Sequence, residues 1–351
     1  MKKILKVGDR IYALSLQNFN ESYLSGFPQR EQHLARHAKN IHFTFFKHKL
    51  LNNIEAIIQE RTRLNLFLKD KQFDYVMIDN PLSMLIIGKD MKIPVLFDCI
   101  DWYDEMYLRE FGINKRYYLL RYGFLEALER VDRVVCQSPV ILDALKRWGL
   151  KTKKYKVIPN GYDADLFYPY TEKQIKKLKN EFEHKYKVST ENKTLIVYTG
   201  KIGTWYDQLL TVSEAIDDDQ IFIIVGDGPL LKDIPEKENI IKCGAVKLYE
   251  VPNYTNISDV LVFPVSEDCS PIAISEYLAV GKPIVIPKGR MEWLLENDQT
   301  GVMVDKNVLS WKLGIKKSLQ IKNRAGKNNL KLAKTLSWQV LTESFCDFLI
   351  K

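Results

Sequence analysis

Short apolar runs rich in β-branched residues alternate with longer amphipathic stretches along the first part of the chain. These strand-like runs lie at 11–16, 41–46, 73–78, 93–97 and 133–136. After a polar stretch, a second series follows at 194–199, 220–225, 239–242, 260–263, 283–286 and 301–304. Because strands that alternate with helices usually form parallel sheets, the pattern predicts two successive α/β units, each with a parallel sheet covered by helices.

Two amphipathic segments mark the ends of the second unit. The Lys-rich segment 173–187 has helical spacing and predicts a solvated helix that opens this unit. Segment 338–351 predicts a final helix, and its broad apolar face needs a surface to cover it. We therefore expect an N-terminal domain over 1–165, a second domain over 166–337 and a C-terminal helix over 338–351.

Composition is ordinary for a globular protein and narrows the possible classes. The 351 residues are 46% hydrophobic and 27% charged, which suits two hydrophobic cores. No apolar run approaches the roughly 20 residues of a membrane helix, and the first ten residues have no signal-peptide core, so we expect a cytoplasmic protein. The five cysteines are widely spaced without a CxxC pair, which indicates neither a disulfide framework nor a zinc cluster.

The formal charge of +8 is unevenly distributed. Residues 1–160 contain 27 Lys and Arg against 18 Asp and Glu, whereas 161–351 contain 25 against 26. This basic surplus fits an anionic partner, such as a membrane surface, a glycan or a nucleic acid. It fits an ordinary solvated surface equally well.

The segment 266–287 has the pattern of an anion site. A predicted strand ends at Pro264, a polar loop follows, and a helix is predicted to start at Pro271. Backbone N–H groups beside Ser270 and Ile272 would face a diphosphate, with the helix dipole behind them. Glu276, about one turn later, would accept hydrogen bonds from both ribose hydroxyls; the alternative is a buried Glu tied to helix caps.

Asp268 and Glu276 are eight residues apart and precede a Gly-Lys-Pro turn at 281–283. This arrangement resembles the signature of the retaining glycosyltransferase family 4/group 1 clan, in which two acidic residues have the same spacing. The clan usually has Glu at the first position, where this chain has the shorter Asp268. Glu267 is adjacent and competes for the same role, so the anomeric outcome stays open.

Other segments resemble the clan in the same order along the chain. Residues 159–163 are similar to its interdomain Pro-Asn-Gly-x-Asp segment. The resemblance implies that glycines and a cation meet the donor phosphates, and that backbone groups hold the nucleobase. The residues matching those roles are Gly200, Lys201, Gly226, Asp227 and Val246. A second lysine is frequent in the clan shortly after Gly200, but this chain has Thr-Trp-Tyr-Asp at 204–207.

In the N-terminal domain, Asp98 and Asp101 follow a predicted buried strand, at the edge where open α/β sheets bind ligands. The pattern resembles a subgroup of the clan with Asp-x-x-Asp before an aromatic residue. Asp101 is our candidate for acceptor contact or general base, with Asp98 beside it, while helix capping is the structural alternative for Asp101. Arg30, in a predicted first helix, is a candidate contact to acceptor or phosphate. His33 and His37 are one turn apart but lack a carboxylate that would complete a metal motif.

The resemblance implies a two-domain fold of the type called GT-B, with two Rossmann-like domains and the C-terminal helix packed back onto the first. It also implies metal-independent transfer of a sugar from a UDP or GDP donor to a glycan or lipid-linked acceptor, with no further cofactor. Asp98, Asp101, Lys201 and Asp268 would act in catalysis. We expect such an enzyme in the cytoplasm or on the inner membrane face, in polysaccharide or glycoconjugate synthesis, with no nucleic acid partner. The alternatives are a nucleotide-sugar epimerase of the same fold and a non-catalytic nucleotide-sugar binder.

Overall fold

A computed structural model describes residues 1–8, 26–203, 206 and 208–350 of the chain. Contacts divide it into two compact units. Of the described residues, the first unit contains 1–8, Phe27–Pro159 and the end of the chain from Leu341, and the second contains Asn160–Val340.

The sheet of the first unit has six parallel strands among the described residues, in the order β2-β1-β3-β4-β5-β6. The strands are β1 (Lys2–Gly8), β2 (Ile41–Lys47), β3 (Tyr75–Ile78), β4 (Val95–Cys99), β5 (Arg133–Cys136) and β6 (Tyr155–Val157). The helices are α1 (Gly26–His37), α2 (Ile54–Leu68), α3 (Tyr103–Phe111), α4 (Lys115–Arg130) and α5 (Pro139–Arg147), with a 3-10 helix at Pro81–Ile86. Asn53, Asn114 and Ser138 cap α2, α4 and α5 by accepting a hydrogen bond from a first-turn N–H.

The second unit repeats this architecture, with six parallel strands in the order β12-β11-β10-β7-β8-β9 among the described residues. The strands are β7 (Thr194–Thr199), β8 (Gln220–Val225), β9 (Ile240–Gly244), β10 (Val260–Val262), β11 (Ile284–Pro287) and β12 (Gly301–Val304). The helices are α6 (Glu172–Tyr186), α7 (Gln208–Ala215), α8 (Val251–Ile257), α9 (Ile272–Ala279), α10 (Val308–Gln320) and α11 (Lys322–Ala333), and the last helix, α12 (Trp338–Ile350), passes into the first unit at Leu341. Strand order reverses at β7, which lies between β8 and β10, and this is where open α/β sheets bind ligands.

The last helix, α12, makes contacts within the first unit. The Lys156 ammonium donates a hydrogen bond to the carbonyl of Ser344 at 2.9 Å. The Arg133 guanidinium donates to the carbonyl of Phe348 and lies over its ring. Phe345 and Leu349 on the same helix are fully buried. The apolar face of α12 is therefore covered, as its sequence requires.

The predicted fold class, two α/β units with parallel sheets, is confirmed. Ten of the predicted strands are present within one or two residues of their expected bounds, and the eleventh, 11–16, lies outside the described residues. The sequence pattern did not predict β1 and β6. The Lys-rich segment forms α6 and is capped by a Thr171–Gln174 capping box, as expected for a solvated helix. No helix in the described part of the chain is both long enough and apolar enough to cross a membrane.

Candidate active site

Glycines line the edge of the second sheet where β7, β8 and β9 end. The Gly200 N–H donates to the carbonyl of Val225 at 2.9 Å, and the Gly226 N–H donates to the carbonyl of Gly244 at 2.9 Å. Gly226 has φ +148°, and a Cβ atom there would lie 1.8 Å from the Gly200 carbonyl oxygen. Only glycine fits at this position. The chain therefore offers bare backbone at the carboxyl edge of the sheet.

Lys201 and Asp227 follow two of these glycines. The carbonyl of Lys201 accepts a hydrogen bond from the Tyr198 hydroxyl at 2.6 Å, while its side chain is exposed. The Ile202 N–H donates to the carbonyl of Asp227 at 3.0 Å, and the carboxylate of Asp227 accepts from the Gly228 N–H at 2.7 Å. Both loops are thus fixed through their backbones, which leaves the Lys201 ammonium at the surface. Val246 lies beyond β9, half-buried against the core of this unit.

The loop that follows β10 is tied to the first residue of this unit. The Asn160 N–H donates to the Ser270 hydroxyl at 3.0 Å, and the Asn160 amide donates to the Ser270 carbonyl at 2.8 Å. The Ser275 hydroxyl donates to the Asn160 carbonyl at 2.7 Å. These three hydrogen bonds fix the loop after β10 and the start of α9 to the Pro-Asn-Gly turn.

Helix α9 begins one residue later than predicted. Pro271 has φ −66° and ψ 138°, which is extended backbone, and Ile272 is the first helical residue. No side chain caps the helix at this end. Its first N–H groups are therefore available to an anion, as the sequence predicted for a helix start in this loop.

The two adjacent acidic residues of the loop have different surroundings. Glu267 pairs with Arg290 at 3.3 Å and with Lys306 at 3.7 Å. Asp268 is half-buried, and its Oδ1 accepts a hydrogen bond from the Ser270 N–H at 3.0 Å. Burial raises the pKa of Asp268 to about 6, against the opposing effect of the backbone N–H groups of Ser270 and Cys269. Glu267 is therefore committed to a surface ion-pair cluster, and Asp268 is not.

Glu276 lies on α9 and is 6% exposed. No hydrogen bond to its carboxyl group is made by the described residues. Burial, and secondly the charge of Asp163, raise the pKa of Glu276 to about 8. A buried carboxyl group with this pKa and no polar partner is typical of a ligand site rather than of a structural core. The structure does not show the alternative expected from sequence, a Glu tied to helix caps.

Three residues of this region did not stand out as site residues in the sequence. The Tyr277 hydroxyl accepts a hydrogen bond from the Thr199 N–H at 2.8 Å, which fixes α9 to the end of β7. Asp163 lies in the Pro-Asn-Gly-x-Asp segment and contributes charge near Glu276. Tyr206 packs its ring against Tyr198, and the charge of Asp268 helps to raise its pKa. Its sequence neighbours Thr204, Trp205 and Asp207 lie outside the described residues.

In the first unit, Arg30 and Asp98 form a buried ion pair. The guanidinium donates from Nε to Oδ2 at 2.9 Å and from Nη2 to Oδ1 at 2.8 Å. It also donates from Nη1 to the carbonyls of Ile158 and Pro159, each at 3.1 Å. Both side chains are nearly inaccessible to solvent, with Arg30 1% and Asp98 2% exposed. The pair joins α1 to β4 and to the chain after β6.

Asp101 lies just after β4 and is half-buried. Its Oδ1 accepts a hydrogen bond from the N–H of the next residue, Trp102, at 2.8 Å. Helix α3 begins at Tyr103 and has no side-chain cap. Asp101 therefore directly precedes the N-cap residue of α3, Trp102, and accepts a hydrogen bond from its N–H.

His33 and His37, one turn apart on α1, stack with their ring centroids 5.7 Å apart. Burial, followed by the charges of His37 and Arg36, lowers the pKa of His33 to about 3. Within the described residues, no group of three or more His, Cys, Asp or Glu side chains is arranged to hold a metal ion.

Family models match both halves of the chain. Residues 23–166 match the model for Glycosyltransferase Family 4. Residues 193–320 match the model for Glycosyl transferases group 1. The resemblance predicted from the motifs is confirmed.

Two curated relatives are similar to part of the chain. An alpha-monoglucosyldiacylglycerol synthase of Streptococcus pneumoniae is 26% identical over 234 residues, which are 62% of this chain and 52% of that protein. A UDP-Gal:alpha-D-GlcNAc-diphosphoundecaprenol alpha-1,3-galactosyltransferase of Escherichia coli is 24% identical over 199 residues, which are 52% of this chain and 47% of that protein. The chain thus matches about half the length of these relatives.

Solved structures resemble the whole chain. HepE of Anabaena, solved in complex with UDP and glucose, has a TM-score of 0.72 with 15% identity and covers 100% of both chains. At this identity the similarity shows a shared fold, which is the GT-B type expected from the sequence.

Proposed function

We infer from these matches that the chain belongs with the glycosyltransferases of family 4 and group 1, and we propose that it transfers a sugar from a nucleoside diphosphate to a hydroxyl group of a glycan or lipid-linked acceptor. The observation that carries this proposal is Glu276, a buried carboxyl group without a hydrogen-bond partner among the described residues, beside a bare glycine edge and an uncapped helix start. Together these features suit a ligand with hydroxyl groups and a diphosphate.

Donor binding follows from the chemistry of these groups. In its ionised form Glu276 accepts hydrogen bonds from two ribose hydroxyls. The diphosphate lies against Gly200, Gly226 and the N–H groups of Ser270 and Ile272, with Pro271 setting the direction of the helix start. The base lies near Val246 and is held by backbone groups. Support for a UDP donor comes from the HepE complex and from the UDP-Gal in the name of the Escherichia coli relative, while GDP stays an alternative.

The chemical step breaks the bond between the anomeric carbon and the diphosphate oxygen and forms a bond to the acceptor oxygen. Negative charge grows on the leaving diphosphate, and we assign its stabilisation to the Lys201 ammonium and the dipole of α9. These positive groups take the part that a divalent cation plays in other transferases, so we propose that no metal is required. Asp268 is assigned to the donor sugar, and Asp227 to fixing the Gly226 turn.

The acceptor is assigned to the first unit. We propose that Asp101 contacts the acceptor hydroxyl and receives its proton, since its carboxylate follows β4 at the carboxyl edge of the sheet. Asp98 and Arg30, which the motif also suggested, are left out of the reaction because their charged atoms are already paired with each other. The names of both relatives include a lipid, diacylglycerol in one and diphosphoundecaprenol in the other. A lipid-linked acceptor would place the reaction on a membrane face.

A thermal-shift screen of UDP, GDP, ADP and dTDP sugars tests the donor site, with and without a chelator of divalent cations. We expect a shift with one class of nucleotide sugar, unaltered by the chelator, that is lost in Glu276→Gln. No shift with any of the four classes would contradict the proposal. The epimerase alternative is not favoured, because the matching models and relatives are transferases.

A further inference from the structure

Large apolar side chains are exposed along the outer side of α4. Tyr118 is 62%, Tyr122 53% and Leu125 53% exposed, and Ile113, in the turn before the helix, is 67% exposed. Positions 118, 122 and 125 are one and two turns apart, so they share one side of the helix. With Lys115 and Arg121, which are exposed on the same side, these residues form what we call the α4 face.

The α4 face is not part of the hydrophobic core. The opposite side of the helix is buried and includes Tyr117, Leu120 and Phe124. Gly123 packs so closely on the 3-10 helix Pro81–Ile86 that a Cβ atom would lie 2.4 Å from the Pro81 carbonyl oxygen. The buried side of α4 therefore packs within its own unit, and the residues of the α4 face are available for contact with a partner.

Charge on and around the α4 face is positive. Lys115 and Arg121 alternate with the two tyrosines. Of the nearby acidic residues, Glu126 pairs with Arg130 at 3.0 Å and Glu129 lies 3.8 Å from Lys151. The cationic surplus of the chain also lies in residues 1–160. An anionic partner fits this face better than a neutral or a cationic one.

A second helix of the same unit also exposes large apolar side chains. Ile54, Ile58 and Leu66 of α2 are 70%, 57% and 68% exposed. Like α4, α2 packs on the 3-10 helix, where the Arg61 guanidinium donates to the Leu85 carbonyl at 2.6 Å. Exposed apolar side chains on two helices that pack on the same 3-10 helix suit an extended partner such as a bilayer better than a single peptide.

We propose that the α4 face docks on an anionic lipid bilayer. This proposal rests on the proposed function for the identity of the reaction. Tyrosine is favoured at the membrane–water interface, and lysine and arginine place their charge among anionic headgroups while their stems lie on apolar surface. Helix α4 would lie in the plane of the interface, with Leu125 and Ile113 among the acyl chains.

Docking in this way brings the bilayer near the proposed acceptor residue. Helix α3, with nine residues, is the only element between Asp101 and Ile113. Nine helical residues span about 13 Å. A lipid-linked acceptor whose headgroup rises from the bilayer would thus come within reach of the carboxyl edge of β4. The second unit, which is assigned to the water-soluble donor, has few exposed large apolar residues among those described.

Vesicle co-sedimentation of the full chain tests this docking. The probes are vesicles of phosphatidylcholine with phosphatidylglycerol and vesicles of phosphatidylcholine alone. We expect the wild-type chain to bind the anionic vesicles, and the triple variant Tyr118→Ser/Tyr122→Ser/Leu125→Ser to bind them at least about tenfold more weakly. The matched control is Leu309→Ser/Leu313→Ser on α10 of the second unit, where the two leucines are 65% and 57% exposed. This control should bind like the wild type.

A charge variant, the oligomeric state and the donor affinity distinguish membrane docking from misfolding of the triple variant, from dimer formation and from a failure of the proposed function. Lys115→Glu/Arg121→Glu changes only exposed positions and should also lose binding to anionic vesicles. This variant keeps the proposal testable if the triple variant fails to fold. Equal binding of wild type and both variants would overturn the proposal. A wild-type dimer that becomes monomeric in the triple variant, without vesicle binding by either, would also overturn it and make the face a contact between copies. Donor affinity of the variants, measured by calorimetry, should stay normal, so a failure here is distinct from a failure of the proposed function.

Discussion

At the scale of single residues, Glu276 and Glu267 show how the same side chain acquires different roles. Glu267 reaches solvent and two cations, whereas Glu276 is buried and forms no ion pair with any described residue. Asp268, eight residues before Glu276, has a raised pKa for the same physical reason, which is burial. Spacing in the sequence indicated Asp268 and Glu276 as a pair, but it left Glu267 as a rival. The structure favours Asp268 over Glu267 as the first acidic residue of the pair, because Glu267 is held in ion pairs with Arg290 and Lys306.

Replacing Glu276 by Gln should weaken donor binding by about 10- to 100-fold, because a hydrogen bond to a charged group contributes about 1.5–3 kcal/mol. Titration calorimetry at pH 8.5 measures this change. Glu267→Gln is the matched control, since it alters a neighbouring carboxylate that is paired on the surface. Equal donor affinity for Glu276→Gln and the control would remove Glu276 from the donor site.

The same residue should make stability depend on pH. The pKa of Glu276 rises from 4.5 to about 8 on folding, so between these values the folded protein holds a proton that the unfolded chain has released. This contribution to stability is fully present below about pH 4.5 and is lost as the pH rises through about 8. Glu276→Gln should therefore raise the melting temperature more at pH 9 than at pH 5. A change of the same size at both pH values in thermal denaturation would contradict the assignment.

Lys201 is expected to act mainly on the chemical step. Its ammonium is exposed at the glycine edge, and its charge matters most when the diphosphate departs. Lys201→Ala should lower kcat about 100-fold or more, with a smaller change in donor Kd. The control is Lys232→Ala, another lysine after the β8 end. A loss of donor affinity with unchanged kcat would assign Lys201 to ground-state binding instead.

At the scale of elements, the hydrophobic pattern was enough to locate most strands and the ends of α6 and α12. Strands buried on both faces appear as short apolar runs, which is why β7, β8 and β12 were predicted within their observed bounds. Strand β1 escaped prediction because Lys2, Lys3 and Lys6 interrupt its pattern, and Lys6 is buried in an ion pair with Asp79. Strand β6 is three residues long and half-buried, too short for any period to show. Sequence motifs indicated Gly200 and Gly226, but only the structure shows their close approach.

That close approach makes the glycine edge sensitive to a single methyl group. Gly226→Ala places a Cβ atom 1.8 Å from the Gly200 carbonyl oxygen, so β7 and β8 must separate at their ends. We expect a loss of roughly 1–3 kcal/mol in the free energy of unfolding and a loss of donor binding. Gly149→Ala is the control, because Gly149 also has a positive φ but meets no atom within 4 Å. Chemical denaturation compares the two, and equal destabilisation would show that strain at φ, rather than the contact, decides the effect.

At the scale of the whole molecule, donor and acceptor residues are assigned to different contact units. The donor residues surround the switch in strand order at β7, and Asp101 follows β4 of the first unit. Sequence motifs indicated both groups of residues. They did not reveal that Arg30 and Asp98 are paired with each other, because 68 residues separate them and no local pattern reports such a contact.

The most direct test of glycosyl transfer follows both products of a radiolabelled UDP-sugar. Wild-type chain and Asp101→Asn are incubated with mixed micelles that contain diacylglycerol or a polyprenyl-diphosphate-linked N-acetylglucosamine, with donor saturating. We expect the wild type to release UDP in equal amount to the label that enters the acceptor. Asp101→Asn should retain donor affinity but transfer about 100-fold more slowly, the scale for loss of a positioned base. Label that stays in a nucleotide sugar of altered stereochemistry, or near-normal transfer by Asp101→Asn, would contradict this account.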